Sequence, residues 1–221
     1  MSVIRSLGDP PNEDLLQEAT RVVRDGGIIA IPTESSYALG VAVRNDSAIA
    51  RIKELKGRPD DKPVLVLIAD RTQLRLLTPS IPPAAAILMD AFWPGPLTLT
   101  FPIAPDLPRV LAGRGGTLGI RQPGHRSLLV VLQRVGPLTG TSANRSEEPS
   151  MNSAPEILSE FGHAIDLILD GGRTVGGLPS TLVDTLDSLR ILREGPITRE
   201  QIDAALQRSG MKLESTRADE T

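Results

Sequence analysis

Residues 26–40 read GGIIAIPTESSYALG, and this stretch indicates the fold class of the chain. Gly26 and Gly27 are typical of a helix end, and a helix is predicted before them over Glu13–Arg24, where apolar residues recur at helical spacing. The run IIAIPT is short and apolar throughout, as in a strand that is buried on both faces. ESSYALG is predicted to be a loop. A helix followed by a buried strand indicates a mixed α and β protein.

The alternation of helices and strands continues outward from this stretch. Further strands are predicted at VLVLIA, LTLTFPI, TLGIR and IDLILD, and STLVDT with LRILRE is predicted to form a β-hairpin. Further helices are predicted from a cap at Asp46 or Ser47 to about Lys56, and over Ala84–Phe92, Leu128–Arg134, Pro155–Phe161 and Thr198–Arg208. The order is not a regular βαβ repeat, so the predicted fold class is α/β (α+β), a mixed β-sheet flanked by helices.

The length of 221 residues predicts a single domain. Its boundaries are expected at residues 12–200, with residues 201–221 as the end of the last helix and a mobile polar tail. There is no signal-peptide pattern and no apolar run of about 18 residues, so we expect a cytoplasmic protein.

Composition excludes several classes of function. The chain has no Cys and two His, which rules out disulfides and a Cys nucleophile and argues against a zinc enzyme. The 24 Lys and Arg stand against 27 Asp and Glu, so a polyanion could bind only at a local basic patch. No P-loop, G-x-G-x-x-G or G-x-S-x-G motif is present, which disfavours a P-loop, Rossmann or serine-hydrolase site.

The stretch LKGRPDDKP, residues 55–63, concentrates positive charge within a few residues. Lys56, Arg58 and Lys62 are separated by Gly and Pro, which preset the backbone so that three cations could converge on a phosphate chain. The alternative is an ordinary helix end, with Asp46 or Ser47 as the N-cap, Gly57 as the stop and Lys favoured by the helix dipole. The local pattern leaves both interpretations open.

Other polar clusters lie at the ends of predicted strands. They are PTESSY, GIRQPGH, TSANRS, LPST and LREG. Arg121 in GIRQPGH is suited to bidentate binding of a carboxylate, or to a surface ion pair. The hydroxyls and amide in PTESSY and TSANRS could bind a small polar ligand, or simply form turns. The sequence pattern alone does not show that these clusters meet.

The sequence closely resembles the YrdC-like family of threonylcarbamoyl-AMP synthases. The resemblance runs from about Leu15 to Ile197 and rests on GGIIAIPTESSYALG, KGRPDDKPVLVLI, FWPGPLTL, LGIRQPGH, TSANRS, LPSTLVD and ILREG, in that order. The family couples a Lys-x-Arg to a distant Ser-x-Asn, which here are Lys56 with Arg58 and Ser142 with Asn144. The resemblance implies a twisted mixed sheet around a deep, positively charged cavity.

The resemblance also implies the roles of individual residues. The catalytic set would be Lys56, Arg58, Ser142 and Asn144. Threonine would be bound by Thr33, Tyr37, Arg121 and Ser180. The nucleotide would be bound by Lys56, Arg58, Lys62, Thr98, Ser142, Asn144, Ser150 and Arg193. No protein metal ligand is implied, because Mg²⁺ would arrive with ATP and be held mainly by phosphate oxygens and water.

By resemblance, the chain makes threonylcarbamoyl-AMP and pyrophosphate from L-threonine, bicarbonate and ATP. A separate transferase complex would then modify the adenosine beside the anticodon of tRNA. Two alternatives are a YciO-like paralogue with different or slower chemistry and a double-stranded RNA-binding module. The acidic net charge and the aromatic content of 2% count against the second alternative.

The chain departs from the family pattern at a few positions. The usual Thr-Asp-Thr-x-Tyr-Gly-Leu-Gly is TESSYALG here, so Glu34 and Ala38 replace Asp and Gly, and SYAL is similar to the YciO branch. Glu147 with Glu148 replaces a Gly that commonly follows the Ser-x-Asn motif. Leu67 stands where some relatives have His, which would remove one threonine contact.

Overall fold

The structure, a computed structural model, describes residues 3–57, 64–186 and 188–214. Within these ranges it contains six α-helices. They are α1 (Glu13–Arg24), α2 (Asp46–Lys56), α3 (Pro83–Phe92), α4 (Arg126–Val135), α5 (Ala154–Phe161) and α6 (Arg199–Gln207). All six predicted helices are therefore present, and α1 has the predicted bounds. None of the helices in these ranges is both long and apolar enough to cross a membrane.

The ends of the helices follow from their capping residues. Asn12 accepts a hydrogen bond from the backbone N–H of Leu15 and so begins α1. The N-cap of α2 is Asn45, whose side chain accepts from Ala48 N at 3.0 Å; the prediction of Asp46 or Ser47 was wrong by one or two residues. Gly57 ends α2 with φ of 60°, a left-handed conformation that glycine adopts without steric cost.

The strands form two mixed sheets. The five-stranded sheet has the order β1-β9-β2-β3-β8 and the six-stranded sheet has the order β11-β10-β5-β6-β4-β7. The strands are β1 (Val3–Ser6), β2 (Ile29–Pro32), β3 (Tyr37–Gly40), β4 (Val66–Leu67), β5 (Leu97–Pro102), β6 (Thr117–Arg121), β7 (Leu138–Thr139), β8 (Thr141–Ser142), β9 (Leu167–Asp170), β10 (Thr181–Asp184) and β11 (Arg190–Arg193). The α/β (α+β) class is confirmed, with the strands divided between two sheets.

Two strand predictions need correction. Tyr37–Gly40 was predicted to lie in a loop, but it forms β3, which pairs antiparallel with β2 and leaves only a short turn between them. β1 was not predicted, and it pairs parallel with β9 at the edge of the five-stranded sheet. The predicted hairpin of β10 and β11 is confirmed as an antiparallel pair.

β2 separates the two parts of the hydrophobic core. Ile28 and Ala30 pack into the larger core cluster, while Ile29 and Ile31 pack into the smaller one beneath α1 and α4. All four side chains are buried, which confirms the predicted strand with two buried faces. This strand delivers the turn that begins at Thr33 to the space between the sheets.

The two sheets meet beside β3 and β7. Thr139 donates its backbone N–H to Val41 O at 2.9 Å and accepts from Val41 N through its hydroxyl at 3.0 Å. Ala42 and Leu138 add an isolated antiparallel bridge. At this junction the ends of strands from both sheets face a common space, which holds the candidate site.

Candidate functional site

A cavity of about 760 Å³ is lined by residues of both sheets. That volume is within the usual range of small-molecule sites. Eight of the predicted site residues line it: Thr33, Tyr37, Thr98, Arg121, Ser142, Ser150, Ser180 and Arg193. Lys56 and Asn144 lie behind the wall at Ser142. Arg58 and Lys62 lie outside the described residues. The fold thus brings clusters separated by up to 160 positions to one cavity.

Arg121, Arg190 and Arg193 give the described lining a net positive charge, because Asp184 is the carboxylate that stands against them. Such a lining favours anionic ligands, and the low-dielectric walls of a cleft strengthen the effect. The hydroxyls of the lining add neutral donors and acceptors between these charges.

Lys56, the last residue of α2, is buried at 2% exposure. Its ammonium group donates to Ser142 O and Asn144 O, each at 2.5 Å, and to Asn144 Oδ1 at 3.0 Å. An ammonium has three N–H groups, and these three acceptors match them. In this structure Lys56 therefore does not line the cavity but holds residues 141–144, the TSAN loop, through these hydrogen bonds.

The TSAN loop is also closed by its own side chains. Ser142 donates through its hydroxyl to Asn144 Oδ1 at 2.5 Å, and Asn144 Nδ2 donates to Arg145 O and Glu148 O. The turn that follows contains Glu147 at φ of 72°, a left-handed conformation that a side chain with a Cβ adopts only with strain. This conformation explains why Gly would suit this position.

Thr33 begins the turn after β2 and lines the cavity. Its hydroxyl donates to Ser36 O at 2.7 Å and accepts from the backbone N–H groups of Ser35 and Ser36. The predicted Ser/Thr turn is therefore present, and the same residue also lines the cavity. A turn and a ligand-facing hydroxyl are not exclusive alternatives here.

Tyr37 is fully buried at the start of β3. Its phenol donates to Gly172 O at 2.8 Å and accepts from Gly171 N at 3.1 Å. Burial, with the nearby Asp170 carboxylate as a smaller cause, raises the pKa of Tyr37 from 10.0 to about 12. The hydroxyl thus fixes the glycine-rich segment after β9, and the residue stays neutral at physiological pH.

Arg121, the last residue of β6, is buried at 5% exposure, which excludes the predicted alternative of a surface ion pair. Its Nε donates to Gly95 O at 3.1 Å, and its Nη2 lies 2.5 Å from Glu34 Oε1. Nη1 makes no hydrogen bond to any residue that the structure describes. Arg121 lines the cavity, and its guanidinium has more N–H groups than these two partners use.

A chain of side-chain contacts connects three further predicted residues. Thr98 and Ser180 share a hydrogen bond of 2.7 Å between their hydroxyls, and both are buried. Arg193 donates to Ser180 O through Nε and Nη2 and to Ser180 Oγ at 3.1 Å. This connection places hydroxyls and a guanidinium from β5, β10 and β11 along one wall.

Sequence reasoning missed part of the lining and the support behind it. Thr100 donates to Asp184 Oδ1 at 2.9 Å, and both residues line the cavity. Thr100 follows Thr98 at the two-residue period of β5, so the alternation in LTLTFP was a signal that Thr100 shares its face. Arg190 and Glu34 carried no comparable local signal, because their positions depend on pairing with distant segments.

Two of the departures from the family pattern are accommodated locally. Ala38 pairs in register with Ile31 on one side and Ser142 on the other, so its methyl group belongs to a regular strand. Leu67 lines the cavity and pairs in register with Arg121. It provides an apolar surface there and no hydrogen-bonding group.

Comparisons with known proteins show what the chain and its fold are similar to. The Sua5/YciO/YrdC family, described as "Telomere recombination", matches residues 21–195. A threonylcarbamoyl-AMP synthase of Bacillus subtilis (strain 168) is 41% identical over 199 residues, which cover 88% of this chain and 57% of that protein. The structure of P. abyssi Sua5 complexed with L-threonine matches with a TM-score of 0.84 and 35% identity, over 97% of this chain and 62% of that one.

A shorter relative also matches. The crystal structure of E. coli YciO superposes with a TM-score of 0.76 at 28% identity, over 89% of this chain and 95% of that chain. By contrast, the chain spans about three fifths of the length of the B. subtilis and P. abyssi relatives.

Proposed function

This chain belongs to the Sua5/YciO/YrdC family, and we propose that it is a threonylcarbamoyl-AMP synthase. The proposed reaction forms L-threonylcarbamoyladenylate and pyrophosphate from L-threonine, bicarbonate and ATP. The observation that carries the proposal is Arg121, a buried guanidinium in the lining of a cavity of about 760 Å³ whose Nη1 makes no hydrogen bond to any residue that the structure describes. The name of the B. subtilis relative and the threonine complex of P. abyssi Sua5 support it.

The amino acid occupies the Arg121 end of the cavity in this proposal. Arg121 binds the threonine carboxylate, since a guanidinium matches a carboxylate in geometry and charge. The hydroxyls of Thr33 and Ser180 contact the rest of the molecule. Tyr37 contributes its ring to the wall, because its hydroxyl is engaged by Gly171 and Gly172.

The nucleotide occupies the part of the cavity lined by Thr98, Ser142, Ser150 and Arg193. Lys56 and Asn144 act mainly by holding the loop that presents Ser142, as their hydrogen bonds indicate. Arg58 and Lys62 complete the phosphate-binding set in the proposal.

The chemistry requires positioning and charge neutralisation. Bicarbonate takes up a proton and loses water to give CO2. The neutral amine of threonine then forms an N–C bond with CO2 and loses a proton, which gives a carbamate. A carbamate oxygen then attacks the α-phosphorus of ATP, the bond from that phosphorus to the bridging oxygen breaks, and pyrophosphate leaves. Three anionic groups meet in this step, so the cationic lining stabilises their approach without a covalent intermediate on the protein.

Mg²⁺ accompanies ATP in this proposal. Within residues 3–57, 64–186 and 188–214, no group of three or more His, Cys, Asp or Glu side chains is arranged to hold a metal ion. In the proposal, phosphate oxygens and water hold the ion, which neutralises phosphate charge. The protein residues act on threonine and on the nucleotide themselves.

The product would pass to a threonylcarbamoyl transferase complex that modifies the adenosine beside the anticodon of tRNA. We propose a cytoplasmic location, in keeping with the proposed role in tRNA modification. Direct binding of tRNA or double-stranded RNA is not needed for the synthase reaction.

The test is incubation of the purified protein with labelled bicarbonate, ATP and L-threonine. We expect a labelled adenylate and pyrophosphate, both dependent on threonine. Absence of both products with a folded protein would sink the proposal. Arg121→Ala serves as the matched variant, and its product should fall at least tenfold at low threonine because a charged hydrogen-bond partner is lost.

A second candidate is a YciO-like paralogue that binds a nucleotide but performs different or slower chemistry. The match over 95% of E. coli YciO favours it. Initial rates measured beside an authentic synthase discriminate between the two candidates, since a paralogue would form the adenylate far more slowly at the same substrate concentrations.

A further inference from the structure

The guanidinium of Arg121 is held on two of its three nitrogens. Nε donates to Gly95 O at 3.1 Å, and Nη2 lies 2.5 Å from Glu34 Oε1. Nη1 has no partner within the described ranges. Because a guanidinium is planar and rigid, fixing two of its nitrogens also fixes the direction in which the third N–H group points.

Glu34 belongs to the turn between β2 and β3 and does not line the cavity. Both of its carboxylate oxygens are buried, and neither makes a hydrogen bond to any residue that the structure describes. A Cβ added to Gly124 would lie 3.4 Å from Oε1, so the carboxylate packs directly against this glycine. The carboxylate therefore interacts with its surroundings chiefly through its ion pair with Arg121.

A buried carboxylate with one cationic partner is costly to keep in place, because desolvation opposes the ion pair. Stability alone would be served as well by an apolar pair of similar size. The ion pair does have a specific geometric effect, however. It holds Nη2 of Arg121 in place and leaves Nη1 as the nitrogen without a protein partner among the described residues.

We infer that Glu34 is a positioning residue for the substrate carboxylate, and that it fixes the plane of Arg121 so that Nη1 faces the amino acid. This inference rests on the proposed function, in which Arg121 binds threonine. Glu34 itself does not touch the substrate. It restricts the orientations of Arg121 before the substrate binds, so that less side-chain entropy is lost when the carboxylate binds.

The experiment compares Glu34→Gln and Glu34→Asp with the wild-type enzyme. Gln keeps the volume and one acceptor oxygen without the charge, and Asp keeps the charge but shortens the reach by one methylene. Glu18→Gln is the matched control, because Glu18 forms a comparable ion pair with Arg5 at 2.8 Å on an exposed surface. The measurements are kcat, the KM values for L-threonine and ATP, and the inhibition constant of L-threoninamide, which lacks the carboxylate.

Both Glu34 variants should raise the KM for threonine about tenfold, the typical effect of losing a charge-assisted hydrogen bond. The KM for ATP and the inhibition constant of threoninamide should stay within about twofold of wild type, because neither depends on the carboxylate contact. Glu18→Gln should leave every parameter unchanged.

Four other outcomes would overturn the inference. An unchanged KM for threonine in both variants would exclude a role for Glu34 while leaving the synthase assignment intact. A wild-type KM in Glu34→Asp alone would mean that Glu34 only neutralises charge. Parallel changes for threonine, ATP and threoninamide would indicate a general structural defect. A folded wild-type protein that forms no threonine-dependent adenylate would overturn the proposed function itself, and this inference with it.

Discussion

Lys56 and Arg121 are two buried cations that the same kind of sequence signal singled out. Each ends a secondary-structure element and is followed within two residues by Gly or Pro, and their exposures are 2% and 5%. Their remaining hydrogen-bonding capacity differs. The ammonium of Lys56 is matched by three oxygens of the TSAN loop, whereas Arg121 keeps Nη1 unpartnered among the described residues.

The comparison shows that a buried cation near a cavity can serve the site in two ways. Arg121 can receive a ligand directly, because its guanidinium has more N–H groups than its protein partners use. Lys56 serves by holding Ser142 on the cavity wall. A charge at the end of an element therefore predicts involvement in the site, but the unused donors decide whether the residue can contact the ligand.

Replacement of Lys56 by Met is expected to have the largest effect. Met has a similar length but cannot donate, so three buried oxygens around Ser142 and Asn144 lose a charged donor. We expect the free energy of unfolding to fall by about 3 kcal/mol. Urea denaturation followed by circular dichroism measures this change.

Lys212→Met is the control, because Lys212 is an exposed lysine whose replacement should change stability by less than about 0.5 kcal/mol. If Lys56→Met were as stable as wild type, the hydrogen bonds to the loop would not be structural. Lys56 would then belong with Arg121 as a residue available to the ligand, and the comparison would break.

Tyr37 combines features of both residues. It lines the cavity as Arg121 does, but its hydroxyl is already hydrogen-bonded to the protein, as the ammonium of Lys56 is. The folded protein should hold the phenol proton more tightly than the unfolded chain, because burial raises the pKa from 10.0 to about 12. The stability from this group is therefore full below pH 10 and is lost as the pH rises through about 12. Ultraviolet absorbance of tyrosinate measures the titration.

The chain contains one Tyr, so the whole tyrosinate signal reports Tyr37. We expect little tyrosinate at pH 10 while circular dichroism remains native. Half-complete ionisation near pH 10 in a folded protein would show that the hydroxyl is accessible. Tyr37→Phe should lose the signal, and its stability should change less than that of wild type between pH 10 and pH 12.

Local structure was predictable wherever local interactions determine it. The bounds of α1 follow from helical spacing between Asn12 and the glycines at 26 and 27, and the α6 capping box follows from Thr198 and Gln201. The strand predictions succeeded where runs are apolar, as in β2. β1 was not predictable from local sequence, because it is an exposed edge strand of only four residues. It forms by pairing with β9, more than 160 positions away.

The contacts within the site were less predictable, because they depend on long-range pairing. Motif order indicated that Lys56 and the TSAN loop belong together, but it could not show that the ammonium lies behind the loop, 86 positions along the chain. The ion pair of Glu34 with Arg121 likewise requires the β2–β3 turn to meet the end of β6. Pattern and propensity do not encode such meetings between distant segments.

The smallest expected effect is at Glu147, which lies next to the loop that Lys56 holds. It has φ of 72° in the turn that follows Asn144, where an L-residue with a Cβ is strained by about 1–2 kcal/mol. Glu147→Gly removes this strain but makes the unfolded chain more flexible, which offsets part of the gain. We therefore expect a net increase of about 0.5–1 kcal/mol in the free energy of unfolding.

Glu147→Ala separates backbone strain from charge, because Ala removes the carboxylate but keeps the Cβ. A higher free energy of unfolding in Glu147→Gly but not in Glu147→Ala would show that the backbone of the turn after the TSAN loop is strained. Equal gains would instead assign the effect to negative charge beside the loop, and no gain in either would contradict the strain. Since Lys56 holds this loop, Lys56→Met combined with Glu147→Gly should recover part of the stability lost in Lys56→Met, as denaturation of the double variant would measure.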